Sequence, residues 1–388
     1  MSVVSNDKQY IASTYARSPL SVSEGNGSHL TDFDGKEYID LSAGIAVNTF
    51  GVADAEWVKA VSEQAQKLQH ISNLYYTKPQ TDLAKLLCEK TGLCKVFFSN
   101  SGAEANECAI KTARKYSFDK YGEGRYTIIT LKNSFHGRTI TTLSATGQDT
   151  YHTIFNPFTE GFVYAEANNI DDLKQKIEEN NCCAFMFEAI QGEGGVNVLC
   201  DEYLKEAAKI CEEKDILLIA DEVQTGNGRT GKYFGYMHSG ITPDIVSTAK
   251  GLAGGLPMGA TLFGEKTKDV LVPGTHGSTF GGNPICAAGA VSIVSRIDDA
   301  LLCEVTRKGE LVKELLKDVK GVESVSGRGL MLGIKTTRPA KDIVAECLEK
   351  GVVVLTAKDK VRLLPPLNIA DEQLVKAISI IKDICGKE

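Results

Sequence analysis

Asp221-Glu222-Val223-Gln224-Thr225-Gly226 and Ser247-Thr248-Ala249-Lys250-Gly251-Leu252-Ala253-Gly254-Gly255-Leu256-Pro257-Met258-Gly259-Ala260 share one design. Each closes an apolar run, Ile216 to Ala220 in the first case and Asp244 to Thr248 in the second, and opens into a polar, glycine-rich stretch. Each therefore reads as a buried strand ending in a loop whose backbone can approach a ligand closely. One loop offers a carboxylate and the other an amine.

Around these segments the chain alternates strand and helix. Val96 to Phe98 is a short apolar run before a helical pattern from about Ala103 to Tyr116. Tyr126 to Leu131 is β-rich, Cys183 to Ala189 reads as a buried strand, and Gly259 to Phe263 as another. Asp201 to Lys214 is amphipathic, with Leu204, Ala207, Ala208 and Cys211 on one face. Near-continuous apolar strands between helices predict an α/β fold with a mostly parallel sheet covered on both sides. After Pro284 the character changes. A long helical pattern runs to about Lys317, followed by strand-like pieces at Val322 to Val325, Leu330 to Ile334, Val352 to Leu355 and Val361 to Leu364. The last helix carries Leu374, Ile378, Ile381 and Cys385 on one stripe. This predicts a smaller α+β domain from residues 1–50 and 285–388 beside a large domain over 51–284.

A chain of 388 residues is long enough for both. A net charge of −7 gives no support for nucleic-acid binding. No apolar run approaches the ~20 residues of a membrane helix. The start, Met1 to Lys8, lacks a signal-peptide layout, so a cytoplasmic location is expected. Eleven cysteines occur with no CxxC, and several fall on apolar faces, which reads as free core thiols in a reducing compartment. Cys182 and Cys183 are adjacent and cannot both serve one face of a strand. The six histidines show no ligand spacing, and no metal is expected.

A lysine that forms a Schiff base and an aspartate that holds a pyridinium nitrogen are what pyridoxal phosphate chemistry requires. Glu188, Asp221 and Lys250 each end a predicted strand, and open α/β sheets bind ligands at that edge. Taken singly, each reads as a surface charge; the flanking glycines weaken that reading. Ser99-Asn100-Ser101-Gly102-Ala103-Glu104-Ala105-Asn106 joins a strand to a helix and suits a phosphate. Ser101 with Glu104 equally fits a capping box, and the two readings are compatible. In Ser134-Phe135-His136-Gly137-Arg138-Thr139 an aromatic ring can stack on a planar cofactor and Arg138 can hold a carboxylate; alone it is a surface loop. Gln191-Gly192-Glu193-Gly194-Gly195 reads as a mobile loop or plain glycine turn. Arg362, basic within an apolar strand, needs a carboxylate partner, structural or substrate.

Together these segments resemble the class III aminotransferases, enzymes of pyridoxal-phosphate fold type I. Thr31 to Asp40, Gly228-Arg229-Thr230-Gly231 and Gly277-Ser278-Thr279-Phe280-Gly281-Gly282-Asn283-Pro284 extend the likeness nearly end to end. Leu41 to Asn48 and His70 to Tyr76 are similar to the subgroup acting on N-acetylornithine. The related ornithine enzymes place a tyrosine at the position of Gly44, where it engages a free α-amino group; glycine leaves room for an acylated nitrogen. The resemblance implies a seven-stranded type of sheet and a homodimer with shared active sites. Lys250 would bond the cofactor and move the proton, with Asp221 on the ring nitrogen. Val223 and Phe135 would cover the ring faces, Gln224 would lie near the phenolic oxygen, and Ser101, Gly102 and Ala103 would hold the phosphate. Thr279 would reach the neighbouring subunit's phosphate. Arg138 and Arg362 would take substrate carboxylates, with Glu193 pairing Arg362 while the donor is bound and releasing it for 2-oxoglutarate. Glu188 and His136 would stand behind these groups.

The sequence departs from the family where Gly51 to Glu56 replaces a Gly-His-x-His-Pro run, at Ala189 in place of proline, and at Asn227 in place of an apolar residue. The implied reaction passes the δ-amino group of N-acetylornithine to 2-oxoglutarate, giving N-acetylglutamate 5-semialdehyde and glutamate, a step of arginine biosynthesis. The alternatives are an ω-aminotransferase for ornithine, succinylornithine, 4-aminobutyrate or lysine-derived carriers; a glutamate-semialdehyde type of aminomutase, which needs no keto acid; and a non-catalytic binding protein, against which Lys250 and Asp221 argue.

Overall fold

The computed structural model describes residues 3–387; Met1 and Ser2, part of the segment read for a leader, lie outside the described residues, as does Glu388. At its centre is a seven-stranded sheet. Its strands run in the spatial order Lys95–Ser99, Gly259–Phe263, Ile245–Thr248, Leu217–Asp221, Cys182–Phe187, Thr127–Leu131, Phe162–Ala165. Gly259–Phe263 is antiparallel to both neighbours, and the other pairings are parallel. Phe185, Phe187, Leu218 and Ala220 join one apolar cluster; Ala184, Met186, Leu217 and Ile219 join another with Cys108, Ala109, Ile110 and Ala113 of helix Gly102–Tyr121. Burial on both faces makes each strand a continuous apolar run. Cys182 and Cys183 part as expected, one into each cluster. All eleven cysteines are free.

The parallel register pairs Asp221 with Ser247. The ends of these two strands thus lie side by side, and the loops bearing Asp221 and Lys250 leave the same edge.

Both ends of the chain build two four-stranded sheets, and Ile190–Gln191 with Asn197–Val198 makes a small two-stranded one. Val22–Asn26, His29–Asp32 and Glu37–Asp40 are antiparallel, and Val352–Val353 joins Glu37–Asp40 in parallel. Val322–Arg328, Met331–Thr336, Lys360–Leu363 and Leu355–Ala357 form a second antiparallel sheet. Leu374, Ile378, Ile381 and Cys385 of helix Asp371–Cys385 lie in the apolar cluster beneath it.

Two expectations need correction. The long helix after Pro284 is two helices, Pro284–Ser295 and Asp299–Leu316. Asp298 ends the continuity by accepting the Leu301 N–H at 2.8 Å as an N-cap. The piece read over Val352 to Leu355 is divided between the two sheets.

Candidate active site

A cavity of about 460 Å³ opens at the carboxyl edge of the central sheet. It brings together Ser101, Gly102, Ala103, Phe135, His136, Arg138, Glu188, Asp221, Val223, Gln224 and Lys250.

One end of the cavity is the start of helix Gly102–Tyr121. Its first N–H groups have no acceptor within the helix, and Ser101, Gly102 and Ala103 line the cavity at the positive end of the dipole. Ser101 Oγ accepts the Glu104 N–H at 3.2 Å. The return bond of a capping box goes one residue early: the Glu104 carboxylate takes the Asn100 N–H at 2.6 Å. Gly102 is required by contact. A Cβ there would stand 2.6 Å from Val223 Cγ1, so the helix start closes directly on the Val223 side chain.

Asp221, 3% exposed, lines the same cavity. Its Oδ1 accepts the Val223 N–H at 3.0 Å. Its Oδ2 accepts from Asn106 Nδ2 at 2.8 Å and pairs with His136 Nδ1 at 2.8 Å. Among the described residues, the buried His136 Nε2 has no hydrogen-bond partner.

Lys250 also lines the cavity and has a positive φ of 46°. Burial lowers its pKa below the ordinary lysine value; Glu193 and Asp221 oppose that and the Arg362 charge adds to it. Glu188 is buried behind Phe135, accepting the Phe135 N–H at 2.9 Å and the Gly192 N–H at 3.3 Å. Burial pushes its carboxyl up to about 7, with the Asp221 charge reinforcing and His136 opposing.

Arg362, Glu193 and Gln224 form a separate cluster. Arg362 Nη1 donates to Glu193 Oε1 at 2.6 Å and to Gln224 Oε1 at 3.0 Å, and Gln224 Nε2 donates to Glu193 Oε1 at 3.3 Å. Burial would raise the Glu193 pKa, but Arg362 overrides it and the carboxyl lies below its ordinary value. Arg138 is exposed at the rim, its guanidinium 5.9 Å from the Phe135 ring centre and 5.3 Å from that of Tyr151.

Residues 10–385 match the aminotransferase class-III family. This chain belongs to that family. It is 50% identical over 383 residues to the acetylornithine aminotransferase of Haemophilus ducreyi, covering 98% of each chain. The acetylornithine aminotransferase of Elizabethkingia anophelis superposes with a TM-score of 0.87 at 32% identity, covering 98% of this chain and 97% of that one. An ornithine aminotransferase from Toxoplasma gondii, whose structure holds pyridoxal phosphate at partial occupancy in the active site, gives 0.93 at 32% identity, covering 99% and 93%.

Pyridoxal phosphate is the cofactor of this class III aminotransferase, and the residues present fit it. The helix N-terminus would hold the phosphate, the Lys250 amine would take the aldehyde, and the Asp221 carboxylate, with one uncommitted lone pair, would pair with the ring nitrogen. Glu193 and Arg362 are not in the wall of the main cavity, nor are Gly44 and Thr279. Thr279 is exposed beside His70, Asn73 and Gln80. Gly44 is exposed in the short turn Ala43–Ala46, where an added Cβ would be 3.6 Å from Asn48 Nδ2. The cavity wall also includes Asn106, Val47, Pro257 and Met258, to which sequence reading assigned no role. Only Asn106 carried a signal, as a polar residue early in a helix whose other face is apolar.

Proposed function

We propose that this aminotransferase takes N-acetylornithine as donor and 2-oxoglutarate as acceptor, a step of arginine biosynthesis. The full-length likeness to acetylornithine aminotransferases carries this reading. Glycine at 44, where the ornithine enzymes of the family carry a tyrosine, supports it, since the chain puts no side chain there to engage a free amine.

Bound pyridoxal phosphate supplies an aldehyde that exchanges amines and a ring that withdraws electrons from the reacting carbon. Lys250 Nζ would hold the cofactor and carry the proton between substrate carbon and cofactor carbon; burial lowers its pKa, which favours the neutral amine that role needs. Asp221 keeps the ring nitrogen charged. Val223 and Phe135 would cover the ring faces, Gln224 would meet the phenolic oxygen, and Ser101, Gly102 and Ala103 would hold the phosphate; all of them line the cavity. Arg138 at the rim and Arg362 deeper bind substrate carboxylates. Glu193 neutralises Arg362 while the donor is bound and yields it to the second carboxylate of 2-oxoglutarate. His136 and Glu188 support Asp221 and Phe135 from behind.

The assembly is a homodimer in which Thr279 serves the neighbouring phosphate. A cytoplasmic setting suits eleven free thiols. The chain divides into a large unit over 51–284 and a small unit from both ends. Helix Pro284–Ser295 packs on the large one, since Ala287, Ala290, Ile293 and Val294 lie in its apolar cluster.

The test is one half-reaction. The cofactor-loaded protein is mixed separately with N-acetylornithine, ornithine, succinylornithine and 4-aminobutyrate, without keto acid, and the cofactor's visible absorbance is followed. N-acetylornithine should react fast and ornithine slowly. Preference for ornithine or 4-aminobutyrate would overturn the substrate, and no reaction with any of them would overturn the transamination itself.

A further inference from the structure

Asn106 stands where the pieces of the site meet. It lies near the start of helix Gly102–Tyr121 and is 1% exposed. Its Nδ2 donates to Asp221 Oδ2 at 2.8 Å and to the His136 carbonyl at 2.7 Å. Its Oδ1 accepts the Ser247 hydroxyl at 2.5 Å. An amide has donors at one end and an acceptor at the other. With a carboxylate and a carbonyl at one end and a hydroxyl donor at the other, it has one satisfied orientation. Ser247 is the register partner of Asp221 on the adjacent strand, so sheet geometry itself places the lock beside the carboxylate.

The consequence falls on Asp221. Asn106 and His136 both occupy Oδ2, while Oδ1 takes only the Val223 N–H. A carboxylate oxygen accepts about two hydrogen bonds, so Oδ1 keeps a lone pair. We propose that Asn106, locked by Ser247, is a positioning residue that fixes the Asp221 carboxylate with Oδ1 presented to the cofactor's ring nitrogen. This rests on the reading of Asp221 as that nitrogen's partner. A neutral amide does the work without adding a cation that would compete for the carboxylate's charge. The same side chain ties together the helix of the phosphate end, the loop of Phe135 and the strand leading to Lys250.

Asn106→Ala, Ser247→Ala and Asp221→Ala proteins are reconstituted with pyridoxal phosphate labelled with nitrogen-15 in the ring. The ring-nitrogen chemical shift and the apoenzyme's Kd for cofactor are read. The wild type should show a protonated nitrogen. Asn106→Ala should move the signal toward the neutral pyridine position and weaken cofactor binding roughly tenfold. Ser247→Ala, which leaves the amide in place but unlocked, should move the signal less and in the same direction. The proposal falls if either variant keeps the wild-type signal while Asp221→Ala loses it. If Asp221→Ala itself keeps the wild-type signal, the reading of Asp221 is what falls. Should Asn106→Ala not fold, Ser247→Ala decides alone by the same criterion.

Discussion

Lys250 is held with φ at 46°, in the left-handed region that a non-glycine residue enters only under constraint. The constraint comes from its neighbours: the Thr49 hydroxyl donates to the Gly251 carbonyl at 2.8 Å, and Leu252 and Ala253 are buried. The strain is borne where the amine must be aimed into the cavity. Removing that amine in Lys250→Ala should lower kcat by at least about a thousandfold while the fold survives, checked by steady-state kinetics beside circular dichroism. Activity near wild type would remove Lys250 from its role. Glu222, next to Asp221, is a different case. Its buried carboxylate accepts the Gly235 N–H at 2.7 Å, the Tyr236 N–H at 2.9 Å and the Thr225 hydroxyl at 2.7 Å. Burial pushes its pKa from 4.5 up to about 7, against those bonds. The folded state therefore binds a proton that the unfolded state has released between these values, and this group's contribution to stability is lost as pH rises through that window. Glu222→Gln cannot titrate. It should be destabilised by about 1–3 kcal/mol at low pH, and the gap to wild type should narrow on going from pH about 5 to about 8, read from urea midpoints. A gap that widens with pH would show the carboxylate to be stabilised in its charged form.

At the scale of elements, the turn Ala43–Ala46 is left-handed throughout, with φ of 45°, 63°, 67° and 62°. Asp40 Oδ1 braces it, accepting the Ser42 N–H at 2.7 Å, the Ser42 hydroxyl at 2.6 Å and the Ala43 N–H at 3.0 Å. Gly44 adopts this conformation freely, but Ile45 is β-branched and pays about 1–2 kcal/mol there. Ile45 is 41% exposed, so it recovers little by packing. Ile45→Gly should raise stability by about 0.5–1 kcal/mol in chemical denaturation, the relief of strain outweighing the extra freedom of the unfolded glycine. A loss of stability would mean that the Ile45 side chain holds a contact worth more than the strain. Nothing in Leu41 to Asn48 announces a left-handed turn, because a single glycine among small and apolar residues reads as ordinary chain. The strands of the central sheet were legible for the opposite reason: burial on both faces writes itself as an apolar run, and a charge ending each run marks the ligand edge. Asp221, Lys250 and Glu188 were found that way. Asn106 carries no legible task in the sequence, since its partners Asp221, His136 and Ser247 are distant along the chain. The break between Ser295 and Asp299 does carry a local mark, Asp298 as an N-cap, while the Arg296 Nη2 contact to Asp54 at 2.6 Å is one no local pattern carries.

At the scale of the whole molecule, one chain leaves an apolar surface open. Leu74, Tyr75 and Tyr76 are 84%, 61% and 99% exposed, and Phe280 is 59% exposed. Asn73 binds these stretches together, donating to the Ser278 carbonyl at 3.1 Å and the Gly281 carbonyl at 2.8 Å. Monomers seldom expose such clustered aromatics, and a second copy of the chain is the partner the proposed dimer supplies. Thr279 lies within this patch and outside its own chain's cavity. If it serves the neighbour, defects in Lys250 and in Thr279 complement each other. A hybrid of one Lys250→Ala chain and one Thr279→Ala chain has one site lacking both groups and one site with its own lysine and the partner's intact threonine. Mixing the two inactive or impaired proteins under conditions of subunit exchange should therefore restore activity, approaching about a quarter of wild type for random pairing at limiting cofactor. If Thr279 serves its own chain, every site in the hybrid lacks one group and mixing restores nothing. The measurement separates a shared site from two private ones without relying on how tightly the subunits associate.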